Sequence, residues 1–183
     1  MALTLLLLPV CAPGASAGRT TAPLTGEANQ AAAGDIPDNQ VFLTFRNGAA
    51  GYAMRYPEGW AQRGSAARVT FADKNNLVRI VVENGSGVTP AGARAEMRRL
   101  RRSTPSLRYS LPTGVTVGGR HAVKVVYSTE SAPNPVTAKR VKLVVDRYYV
   151  PGRGRHAVVD LGTPEGVDNI DAYRLMIESF RWK

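Results

Sequence analysis

The chain has 183 residues, 44% of them hydrophobic and 21% charged, the size and balance of one folded domain with a modest core. Its formal charge is +10, and arginine supplies 19 of the 24 basic residues, which draws the molecule towards phosphate, acidic polymers or anionic lipid surfaces unless the charge is simply solvated. No run approaches the roughly 20 apolar residues of a membrane-spanning helix, and one cysteine, Cys11, excludes an intrachain disulfide and any cysteine-based metal centre.

Residues 1–17 read as an export signal. Ala2–Leu8 has the character of a short hydrophobic region, and Ala15-Ser16-Ala17 offers the small-x-small pattern of a cleavage site, so that a mature chain starts near Gly18. A competing reading takes Leu8-Pro9-Val10-Cys11 as a loose bacterial lipobox. Lipid on Cys11 would then tie the protein to the outer face of a membrane. No Lys or Arg precedes Arg19, so the expectation is that either the true start lies upstream or the sequence is truncated. Residues 18–39, rich in Ala, Gly, Thr and Pro without periodicity, read as a disordered tether. Residues 40–183 read as the domain.

Alternation dominates that domain. Val41, Leu43 and Phe45 share one strand face, and Asn47-Gly48 starts a turn. Tyr52, Met54 and Tyr56 share a face of a second strand that Pro57 ends. Val69 and Phe71 mark a third, and Val78, Ile80 and Val82 a fourth, with Arg79 and Glu83 on its other side. A helix follows. Thr89 suits the N-cap and Pro90 the first helical position, Ala93, Met97 and Leu100 recur at helical spacing, and Pro105 lies beyond the end.

Three long strands come next. Val123, Val125 and Tyr127 alternate with Lys124 and Ser128, and Gly118-Gly119 precedes them as a hairpin turn. Val141, Leu143, Val145 and Tyr149 alternate with Lys142 and Asp146. Pro151–Gly154 closes a hairpin into Ala157, Val159 and Leu161, with His156 and Asp160 expected to point outward. One polar face implies an antiparallel sheet. The last helix is expected near Asp168, on the stripe Tyr173, Met176, Ile177 and Phe180, with a short edge strand after it. The fold class is α+β: a single domain with an antiparallel sheet flanked by helices.

The segment Tyr52-Ala53-Met54-Arg55-Tyr56-Pro57-Glu58-Gly59-Trp60 resembles the Y-x-x-x-Y-P-x-G-W piece of PsbP-like proteins. Phe71-Ala72-Asp73 follows at a similar distance, and Glu178-Ser179-Phe180-Arg181 resembles that family's S-F-R ending. The stretches Ser131–Thr137 and Thr163–Asn169 resemble exported actinobacterial lipoproteins with this fold. The resemblance implies an α-β-α sandwich that works outside the cytoplasm without catalysis. Physically, Pro57 and Gly59 turn the chain and Trp60 plugs the core.

Chemistry-bearing residues are few. His121 and His156 sit near strand starts, and His156 and Asp160 are roughly 13 Å apart along a strand, too far for a hydrogen bond. Ser103, Ser110, Ser128 and Ser131 lack a nucleophile-elbow context. Glu165, Asp168 and Asp171 could hold a cation weakly, or serve the start of the last helix; Asp73, Asn75 and Asn76 could do likewise, or simply make a turn. The most unusual patch is the helix bearing Arg94, Arg98, Arg99, Arg101 and Arg102, which Glu96 alone offsets. These readings converge on a monomeric, non-catalytic, extracytoplasmic binding or assembly module of the cell envelope. Its expected partner is an envelope protein or an anionic surface or polymer, with no cofactor and no nucleic acid. The alternatives are a small-ligand or divalent-cation carrier using the sheet's open face, or an enzyme with a loop-built site.

Overall fold

The computed structural model describes residues 34–133 and 136–183. The export signal, Cys11 and the tether up to residue 33 lie outside the described residues. In chain order the elements are β1 (Phe42–Asn47), β2 (Tyr52–Pro57), β3 (Ala61–Ser65), β4 (Arg68–Asp73), β5 (Asn76–Asn84), α1 (Pro90–Ser103), β6 (Arg108–Tyr109), β7 (Thr113–Val117), β8 (Arg120–Glu130), β9 (Lys142–Pro151), β10 (Arg155–Pro164), α2 (Ile170–Glu178) and β11 (Arg181–Trp182). The large antiparallel sheet runs β3-β4-β5-β10-β9-β8-β6, and β7 pairs along β8. A small sheet, β1-β2-β11, lies apart from it. Among the described residues no helix is long and apolar enough to cross a membrane.

Two apolar clusters sandwich the large sheet, one on each face. On the first face Val69, Phe71, Ile80, Val150, Ala157, Val159 and Leu161 meet Tyr173, Met176 and Ile177 of α2 and Tyr52 and Met54 of the small sheet. On the second, Val123, Val125, Val145, Tyr149 and Val158 meet Ala93 and Met97 of α1. The outcome is an α+β domain in three layers, with α1 on one side of the sheet and α2 with the small sheet on the other. Trp60 is buried in the first cluster, and Gly59 takes φ +86° to turn the chain into it, a backbone region that suits glycine. The β7–β8 turn is held as tightly: a Cβ on Gly118 (φ +58°) would lie 2.6 Å from the Phe180 carbonyl oxygen.

Three expectations change here. His156 and Asp160 do not point outward; both are buried, because β10 lies mid-sheet and is covered on both faces. Along β10 the residues 156–162 are all buried, so neither face of this strand is open. The last helix begins at Ile170, with Asn169 rather than Asp168 at its N-cap. Packing also begins before Gln40, since Ile36 belongs to the first cluster.

Asn169 explains that early start. Its side-chain amide donates to the Gly34 carbonyl (2.9 Å), to Asn76 Oδ1 (3.1 Å) and to Thr163 Oγ1 (2.8 Å), while its oxygen accepts from the Ile36 N–H (2.9 Å). Asn76 also donates to the Gly34 carbonyl. Asn169→Ala is expected to cost about 2–3 kcal/mol, because it strands several buried polar groups, and to speed amide exchange at Ile36. Unchanged protection at Ile36 would count against this role.

Candidate functional site

Helix α1 forms where local chemistry favours it. Thr89 accepts the Gly92 N–H at 3.1 Å, Pro90 occupies the first turn, and Arg101 and Arg102 fall in the last turn, where positive charge complements the helix dipole. Ala93 and Met97 are buried against the sheet and Leu100 packs beside them.

Beneath α1 lies a charged row that the strand register creates. Asp160 of β10 stands directly across from Arg79 of β5 and Arg147 of β9. Arg147 donates to both Asp160 oxygens, Nε to Oδ1 at 2.6 Å and Nη2 to Oδ2 at 2.9 Å, while Arg79 Nε donates to Oδ2 at 3.0 Å. Asp160 is 1% exposed and Arg147 6%. The Arg147 guanidinium also lies 5.2 Å from the centre of the Tyr127 ring. Burial alone would lower the pKa of Arg147, but hydrogen bonding and the charge of Asp160 more than offset it and raise it. Burial, helped by Asp160, pushes the Tyr127 hydroxyl up to about 12. Burial raises Tyr149 as well.

Glu96 completes this row, turning inward to accept from Arg147 Nη1 at 2.6 Å. The only carboxylate of α1 is thereby committed to the sheet. Arg94, Arg98, Arg99, Arg101 and Arg102 are all exposed, and among the described residues none of the five meets a carboxylate. At about 100° per residue they fan over roughly 160° of the helix circumference, opposite Ala93 and Met97. An open groove of about 630 Å³ runs beside them, between Ser86–Thr89 and the side chains of Arg99 and Arg102.

The other candidates are not brought together. Glu165 pairs with Lys142 (2.6 Å), Asp168 accepts the Ile170 N–H (3.2 Å), and Asp171 pairs with Arg174 (2.9 Å). Among the described residues no three His, Cys, Asp or Glu form a metal-holding group. His121 is exposed, and His156 Nε2 lies 3.4 Å from Glu83. The hydroxyls of Ser103, Ser110 and Ser131 bond to backbone, at Leu100 O, Val126 N and Val141 N respectively. The row Arg79–Asp160–Arg147 escaped sequence reading. One trace of it was there: Arg147 has the inward parity of Val145 and Tyr149.

No protein-family model and no curated protein matches the chain. Solved structures do. The cyanobacterial PsbP (CyanoP) of Synechocystis superposes with a TM-score of 0.58 at 14% identity, over 82% of this chain and 98% of that one. The Ran-binding protein Mog1p of Saccharomyces cerevisiae gives 0.54 at 8% identity, over 78% and 96%. A Bacteroides thetaiotaomicron protein gives 0.50 at 12% identity, over 76% of this chain and 48% of that one, so the chain spans about half its length. Identities this low speak for fold alone, and the fold is PsbP-like.

Proposed function

We propose that the chain is a non-catalytic binding or assembly module of the cell envelope that works outside the cytoplasm and docks on an anionic partner through the arginine face of α1. The observation that carries this reading is the inward turn of Glu96 onto Arg147, which leaves five exposed arginines without a carboxylate. Guanidinium groups bind carboxylates and phosphates through paired N–H donors, and a fan of them on one rigid helix favours an extended anionic surface or polymer. A protein described as Ran-binding shares the fold, which fits a scaffold that presents a surface. Cleavage after Ala17 or a lipid on Cys11 would each leave the domain outside the cytoplasm.

The full chain is expected to sediment with vesicles containing phosphatidylglycerol and to be retained by immobilised polyphosphate, more weakly as salt rises. Arg98→Glu, Arg101→Glu and Arg102→Glu together should weaken both by at least ~10-fold, about 1.4 kcal/mol, without altering thermal stability. Unchanged binding by the triple variant would remove this reading.

A further inference from the structure

Helix α2 is short, and it leaves part of its sheet face unfilled. Along one side it presents Ile170, Tyr173, Arg174, Ile177 and Glu178, the i, i+3, i+4, i+7, i+8 set that shares a helical face. Across from this stripe lies the β7 margin of the sheet with Val115 and Val117, and between them run Lys124 of β8 and Val144, Asp146 and Tyr148 of β9. The groove holds about 530 Å³, within the range typical of small-molecule sites. It lies on the opposite face of the sheet from the arginine face of α1.

Its chemistry is distinctive for so basic a chain. The walls are valine, isoleucine and tyrosine, and Ile170 stands 66% exposed. Lys124 Nζ meets Asp146 Oδ2 at 2.6 Å with about a quarter of each side chain exposed. The same ammonium lies 5.3 Å from the centre of the Tyr148 ring, and the Tyr148 hydroxyl faces Asp146 at 3.4 Å. Arg174 and Glu178 add one charge of each sign on the helix, so the groove is balanced where α1 is not. A lone anion drawn to Lys124 would strip Asp146 of its partner in a half-buried place, and a lone cation would do the reverse; either costs free energy. A ligand with both charges compensates both residues, and its apolar body fills the walls.

We infer that this groove binds a small zwitterion with an aliphatic or aromatic side group, of the amino-acid type, its carboxylate on Lys124 and its ammonium on Asp146. The site stands independently of the docking face.

The test is an amide NMR titration of the full chain with L-leucine, 4-methylpentanoate and isoamylamine, the last two being leucine without its amine and without its carboxylate. L-Leucine should give saturable shifts confined to residues 115–117, 124, 144–148 and 170–178, and each single-charge analogue should bind at least ~10-fold more weakly. Lys124→Met should weaken L-leucine at least ~10-fold, and so should Ile170→Lys, which alters only an exposed side chain. The α1 triple variant should bind L-leucine as the parent does, even if it has lost every anionic surface. Absence of saturable shifts at high millimolar L-leucine, equal binding of 4-methylpentanoate, or shifts centred on α1 would each overturn the assignment.

Discussion

Asp160→Ala is expected to destabilise the domain by about 3–5 kcal/mol, the cost of leaving a buried charge without its partner. The Asp160 carboxylate is 1% exposed and takes hydrogen bonds from two guanidinium groups. Its removal leaves Arg147 buried, with Glu96 as its remaining carboxylate. Arg79, whose side chain is 39% exposed, can turn to water; Arg147 cannot. Urea unfolding measures the loss. Joining Asp160→Leu to Arg147→Met should recover most of it, since apolar groups of similar volume tolerate such a place better than half of an ion pair. A loss below about 1 kcal/mol for the single variant would mean that water reaches the row, as it does for surface pairs.

Phe180→Ala should cost a similar ~3–5 kcal/mol, by a different route. Phe180 is fully buried, stacks on Tyr52 at 5.5 Å and meets Trp182 edge-on at 5.4 Å. It lies between the end of α2 and β11, and its carbonyl sits against the β7–β8 turn. Truncation opens a cavity where three elements meet, and none of them can collapse into it without moving the others. For a chain of this length the loss corresponds to roughly 6–20 °C in Tm. Phe180→Leu, which keeps much of the volume, should lose less than half as much; equal losses would show that ring geometry rather than filled space is what counts.

These two residues differ in how well the sequence announces them. Phe180 completes a helical stripe with Tyr173, Met176 and Ile177, and the Y-P-x-G-W segment marks the turn into Trp60; both patterns are local, and both survive in the fold. Asp160 carries no such mark. Its partners lie 81 and 13 residues away, and only the pairing of β10 with β5 and β9 sets them in a row. The run Ala157-Val158-Val159 did hold a clue, because consecutive apolar residues indicate a strand covered on both faces. Strand β3 left none: all five of its residues are exposed, and pairing with β4 makes it a strand. The arginine face was legible as composition. That it lacks a counter-charge was not, because the inward turn of Glu96 depends on an arginine 51 residues further along the chain.

The knot at Asn169 gives the molecule a direction. Gly34 is fastened beside the start of α2, so the chain enters on one side of the sheet while the arginines of α1 stand on the other. The arginine face and the charge-balanced groove therefore open to opposite sides of one sheet, and a molecule seated in either leaves the approach to the other unscreened.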